Sequence, residues 1–188
     1  MPNYCNYSMR VVGKEINVDE FINIIQTDYV FDDNGKCSVD RHFWRVFDAY
    51  VADEDVADGI KSVTIDGYCA WSVYSCMFDG PHTYQGDYSD SKSGGTTLQL
   101  ESARLQLNIE VFSEEPGCAF MEHYLIRNGE VEIEDCVDFA EYCTDDYETV
   151  EEMNEDLETD VTQEEFDYAN KHCDGYVRRG GMEWDFEI

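Results

Sequence analysis

The sequence predicts an α+β domain that ends in an acidic helical region, and three observations carry that prediction. Short runs alternate apolar and polar residues with the period of a half-buried strand. Between them lie segments whose apolar residues recur at three and four, the spacing of one helix face. From residue 128 to 170 there is no Lys or Arg, while Asp and Glu crowd the same stretch.

The 188 residues can bury a core, and 43% are apolar and 14% aromatic. Rings in that number offset the entropy of ordering, so the chain reads as folded despite a formal net charge of −31. Such a charge repels itself in a compact state. It also repels nucleic acid and anionic lipid, which sets aside direct DNA, RNA and membrane-surface binding. No apolar run is long enough to cross a bilayer, and Met1-Pro2-Asn3-Tyr4-Cys5 is not a signal peptide, so a cytosolic location is expected. The eight Cys then read mostly as buried small hydrophobes.

The elements follow in order. Asn6–Val12 places apolar or aromatic residues at 7, 9 and 11 and ends at Gly13, as a strand does. Asn17 or Asp19 is a cap for a helix over Asp19–Thr27, with Phe21, Ile22, Ile24 and Ile25 on its apolar face. Asp32-Asp33-Asn34-Gly35 is a turn. Arg41–Tyr50 carries Phe43, Trp44, Phe47 and Tyr50 at helical spacing, which reads as core. Ser62–Ile65 and Cys69–Phe78 read as strands broken at Gly67, and Asp79–Gly95 as an irregular loop. Thr96 or Thr97 caps the next helix, with Glu101 and Arg104 on its solvated side. Strands are expected over Asn108–Phe112, Cys118–Ile126 and Glu130–Val137, the last two joined by an Asn128-Gly129 hairpin turn. Two short acidic helices come next, the second with a Thr162/Glu165 capping box. The alternation of Met182, Trp184, Phe186 and Ile188 suggests a final strand over Gly181–Ile188.

Three segments carry a family resemblance: Met1-Pro2-Asn3-Tyr4-Cys5-Asn6, Gly67-Tyr68-Cys69-Ala70-Trp71-Ser72, and Phe112-Ser113-Glu114-Glu115-Pro116-Gly117-Cys118-Ala119-Phe120. In that order they resemble the YubB ferredoxin-like family of phage and plasmid proteins, over roughly residues 1–140. The resemblance implies a ferredoxin-like antiparallel sheet with helices on one face, in a mobile-element setting, and transfers no catalytic residue. The expected division is a ferredoxin-like domain at 1–140 and an acidic helical extension at 141–188, whose final strand lies on the core.

The functional candidates are carboxylates. Asp145, Asp146, Glu148, Glu151, Glu152, Glu155, Asp156 and Glu158 form the densest group, with Glu164, Glu165 and Asp167 in support. Three readings stand: a plain solvated surface, a halophile's acid excess, and imitation of nucleic-acid phosphates. In the last, the occupant is the basic nucleic-acid groove of a host defence protein, a CRISPR effector or a restriction enzyme. An accessory protein of a mobile element, its charge serving solubility alone, is the alternative. Arg178 and Arg179 are expected to fold back onto the acidic helices, the alternative being that they orient a partner.

Enzymatic and metal readings find little in the sequence. Asp53–Gly59 and Asp32–Gly35 lack calcium-loop spacing. Cys69/Cys76 and Cys136/Cys143 lack the gap of a zinc knuckle, and His172-Cys173 are adjacent. Cys118 and His123, five apart on a strand, face opposite sides. No phosphate loop, serine elbow or dinucleotide fingerprint occurs, so no cofactor is expected. An enzyme with a carboxylate or Cys centre stays open. Glu114–Gly117 reads as a turn, and Trp71 as core.

Overall fold

The structure, a computed structural model, describes residues 3–30, 33, 37–78, 95–172 and 175–188. Strand β1 (Tyr4–Lys14) sets its frame. Cys5, Tyr7, Met9 and Val11 point into the core, and Ser8 and Arg10 to the opposite face. Helix α1 (Glu15–Ile25) follows without a loop and lays Val18, Phe21, Ile24 and Ile25 against that apolar row. It starts earlier than expected, because burial of Val18 with Phe21 fixes its first turn rather than a side-chain cap. Lys14 at the N-cap makes no side-chain cap bond. Asn17 instead donates to the Leu105 carbonyl (2.7 Å), and Asp19 pairs with Lys61 (2.9 Å).

The helix expected over Arg41–Tyr50 is not there. The chain enters β2 (Val46–Ala57), an edge strand paired with β3 (Ile60–Ala70). Bulges between Val46 and Asp48 and between Val51 and Asp53 break its alternation, so its aromatics fall at intervals that imitate a helix. Phe43 is buried, yet Phe47 and Tyr50 stay 45% and 53% exposed. The acidic stretch Asp53–Gly59 forms the end of β2 and a tight turn, with Asp58 and Gly59 both left-handed.

The break expected at Gly67 is also absent, since β3 runs through it. A Cβ there would lie 2.1 Å from the Asp48 carbonyl and 2.5 Å from Tyr7 Oη. Glycine is required because the Tyr7 ring crosses this position to donate to that carbonyl at 3.0 Å. Beyond Ala70 the strand does not continue to Phe78. Tyr74–Phe78 is a π-helical turn whose approach is held by Glu122, which accepts from the Val73 and Tyr74 amides at 2.8 and 3.2 Å. Trp71, at φ 67°, is half-buried, with the Arg45 guanidinium 4.3 Å over its ring.

Helix α2 (Leu98–Leu105) has Thr97 as its cap, whose hydroxyl accepts from the Leu100 amide at 3.2 Å. Strands β4 (Asn108–Glu115), β5 (Phe120–Arg127) and β6 (Glu130–Cys143) follow, the last two joined through Asn128 (φ 50°) and Gly129 (φ 89°). Those angles are the two left-handed positions of a tight hairpin turn. In α3 (Val150–Leu157), Val150 and Met153 turn inward. In α4 (Gln163–His172), Phe166 and Ala169 do so. The expected capping box is present: the Thr162 amide donates to Glu165 Oε2 (2.8 Å) and the Glu165 amide to Thr162 Oγ1 (3.3 Å).

The last strand is β7 (Tyr176–Gly180), not Gly181–Ile188. Residues 183–188 instead lie without strand pairing over β4, because Phe112 offers a ring to Trp184 (6.2 Å) and Phe186 (5.2 Å). Glu110 Oε2 accepts the Glu187 and Ile188 amides at 2.7 and 3.1 Å.

The strands form a seven-stranded antiparallel sheet in the order β2-β3-β1-β4-β5-β6-β7. Two compact units emerge, one of residues up to Cys136 with Glu183–Ile188, the other Val137–Met182. The expected boundary at 140 thus falls at 136, and the last six residues return to the first unit. The first unit's core joins α1 and α2 to the inward rows of β1, β3 and β4. The second has its own, of Val150, Met153, Val161, Phe166, Ala169 and Val177. Most of the loop expected at Asp79–Gly95, the turn at Asp32–Gly35 apart from Asp33, and Cys173 lie outside the described residues. Among the described residues, no helix is long and apolar enough to cross a membrane.

Candidate functional site

The acidic candidates all fall in the second unit, and their environments separate them. Asp145, Asp146, Glu148, Glu151, Glu152, Glu155, Asp156, Glu158, Glu164 and Asp167 are exposed. Glu165 is not available in the same sense. Arg179 donates to both its oxygens (2.6 and 2.7 Å), and the Thr162 cap adds to them. The Arg179 bonds, then those from Thr162, lower its carboxyl to about 2. Arg178 pairs with Glu141 on β6 at 2.6 Å and lies 4.5 Å over the Phe139 ring.

Three cations stand against fifteen carboxylates between 137 and 182, and both arginines are committed in this way. On α3, Glu151 and Glu155, and likewise Glu152 and Asp156, are like charges one helical turn apart. Each such pair costs a few tenths of a kcal/mol. Asp156 and Glu158 add negative charge at the C-terminal end, where the helix dipole disfavours it. Internal relief is small: Tyr147 Oη donates to Asp156 (2.8 Å), which raises the phenol to about 12, and the Glu148 amide donates to Glu152 (3.2 Å). These carboxylates face water with no described Lys or Arg paired to them.

The first unit uses acids differently. Glu101, expected on the solvated side of its helix, is fully buried. Arg41 (2.6 Å), Arg104 (2.5 Å) and the Thr96 hydroxyl (2.5 Å) surround it. Glu122 takes the Ser113 hydroxyl (2.6 Å) and the Tyr124 phenol (3.1 Å) besides the two amides at the π-helical turn. Glu115 closes the Pro116-Gly117 turn through the Gly117 amide (3.0 Å) and the Cys118 amide. Each buried acid meets several donors, as burial of a charge demands.

Cys118 and His123, expected on opposite faces of one strand, have separate partners, and Cys118 precedes the strand. His123 Nε2 meets Glu110 Oε1 at 2.9 Å, and its ring stacks on Phe112. Cys118 lies exposed in the turn before β5, with Asn3 Nδ2 at 3.4 Å. Hydrogen bonding of the thiol to the Glu115 carboxylate holds it above its ordinary range, which disfavours the thiolate. Of the described cysteines, Cys5, Cys37, Cys69 and Cys76 are buried, while Cys118 and Cys136 are exposed.

Two grooves escaped sequence reasoning. In the second unit, α4 and β7 border one of about 710 Å³, lined by Tyr168, Tyr176, Glu164 and the two committed arginines. In the first, the sheet face opposite the helices carries a groove of about 460 Å³ lined by Ser8, Asp48, Tyr50, Asp66, Tyr68 and Trp184. Beside it Tyr4, Phe47 and Tyr68 meet edge to face or tilted at 5.4–6.2 Å, all exposed. The signal lay in Tyr50 and Phe47, but helical spacing assigned them to the core. None of the buried glutamates lines either groove.

Comparison with protein-family models, with curated proteins and with solved structures returns no match for this chain.

Proposed function

We propose that this chain is a non-enzymatic anti-defence protein of a phage or other mobile element. It docks the acidic surface of residues 145–167 into the Lys/Arg-lined nucleic-acid groove of a host nuclease, a CRISPR effector or restriction enzyme, and blocks that groove as a phosphate mimic. One observation carries the reading: the α3 carboxylates are exposed, mutually repulsive and unpaired with any described cation. Their spacing supports it. Four carboxylates over Glu151–Asp156, on a helix rising ~1.5 Å per residue, give one charge per roughly 2 Å. Duplex DNA presents one per ~1.7 Å of axis. A cationic groove would relieve the repulsion and steer association.

The β1-α1-β2-β3-α2-β4 order, with strands arranged β2-β3-β1-β4, supports reading the first part of the chain as a ferredoxin-like core. The resemblance of its three segments to the YubB family supports the mobile-element setting.

The test is competition. Purified chain is titrated against a nuclease–duplex complex at low and high salt, and DNA release and cleavage are followed. Displacement that weakens steeply with salt, and that disappears in a Glu151, Glu152, Glu155 and Asp156 to Lys variant, is the expected result. Unchanged inhibition by that variant would place the contact elsewhere. Binding that tolerates raised salt would favour the accessory protein whose charge serves solubility.

A further inference from the structure

We propose that the groove on the open sheet face of the first unit binds an arginine side chain from a basic segment of a protein partner. This face is divided. Residues 183–188 cover its β4 half: Phe112 is buried under Trp184 and Phe186, and Arg10 donates to the Ile188 carbonyl at 3.1 Å and lies 4.9 Å over Phe186. On the β1–β3–β2 half Tyr50 and Tyr68 stay exposed, and the groove runs along it with Trp184 among its lining residues.

The lining chemistry selects the occupant. Two carboxylates, Asp48 and Asp66, stand among Tyr50, Tyr68 and Trp184, and no described Lys or Arg lines the groove. Asp66 takes one hydrogen bond, from Ser8 Oγ at 2.6 Å, and no described cation pairs with either acid. Arg10 shares this face but is committed to the tail. A nucleotide could stack on the rings, but its phosphates would meet two carboxylates within a chain of net charge −31. A purely apolar segment would bury both acids without a counter-charge, which is costly. A planar guanidinium matches both parts of this lining, since it stacks on aromatic rings and donates N–H bonds to carboxylates. Lysine offers the charge without the plane.

The groove shares no residue with the 145–167 carboxylates, so the two readings fail separately. The test uses the intact chain, labelled with nitrogen-15 and titrated with acetyl-Gly-Arg-Gly-amide at low ionic strength. The matched peptides carry citrulline, which keeps the shape without the charge, or lysine. Saturable shifts at the Trp184 indole and at the Asp48, Tyr50, Asp66 and Tyr68 amides are expected with arginine. Its affinity should exceed that of citrulline by about tenfold or more, the equivalent of ~1.4 kcal/mol. The double variant Asp48→Asn with Asp66→Asn, of unchanged shape, should lose a similar factor while the remaining spectrum holds. Equal binding of citrulline, or arginine shifts confined to residues 145–167, would overturn the proposal. Should the double variant fail to fold, the peptide comparison on the native chain decides alone.

Discussion

The two units hold the same residue type in opposite ways. In the first, Glu101, Glu110, Glu115 and Glu122 are buried and surrounded by donors, and they tie helix, turn and tail to the sheet. In the second, ten of the eleven candidate carboxylates stand in water, and Glu165 alone among them is bound to an arginine. What separates structural from free acids is therefore where the donors are. Strand β4, covered on both faces, can hold Glu110 only by meeting its oxygens. Helix α3 buries Val150 and Met153 and leaves the rest of its surface to repel itself.

Breaking this contrast should cost most at Glu122. Glu122→Ala leaves the Val73 and Tyr74 amides, the Ser113 hydroxyl and the Tyr124 phenol without their acceptor. A loss of about 3 kcal/mol or more is expected in urea unfolding. Glu155→Ala on α3 should change stability by about 0.5 kcal/mol or less. Equal losses would erase the distinction between the units.

Next in size is Gly67→Ala, which forces the β2–β3 pair or the Tyr7 ring to move and should cost about 1–3 kcal/mol. The lost Tyr7 bond to the Asp48 carbonyl would appear as a changed tyrosine environment in near-ultraviolet circular dichroism. A variant as stable as the native chain would remove the reason given for this glycine.

The smallest effect concerns Glu165, the exception within its unit. Its carboxyl is lowered to about 2 by Arg179 and the Thr162 cap. A lowered folded-state value stabilises above the unfolded carboxylate range of ~4.3 and is lost as pH falls toward 2. Urea midpoints of the native chain and Glu165→Gln should therefore differ at pH 6, differ less as pH falls below ~4.3, and converge only at about pH 2 and below. A constant difference would mean that the Arg179 pair contributes nothing.

These contrasts were partly legible in the sequence. The alternation at Tyr7, Met9 and Val11, the Thr97 cap, the Asn128-Gly129 hairpin and the Thr162/Glu165 box rest on local chemistry, and each formed as read. The failures are non-local. Bulges in β2 gave Phe43–Tyr50 a helical rhythm, and Gly67 broke a pattern without breaking the strand. Glu101 looked solvated because Arg41, sixty residues earlier, could not be seen to cover it. The density of acids at 145–167 was visible in composition; the open aromatic groove was not, since it needs three strands and the tail to exist.

Carbodiimide labelling of carboxylates, with and without a groove-bearing nuclease and read residue by residue, tests the division of labour most directly. Protection should fall on Glu148–Glu158, while Glu101, Glu110 and Glu122 stay unlabelled in both states. Unchanged labelling of Glu151, Glu152, Glu155 and Asp156 in a formed complex would contradict it.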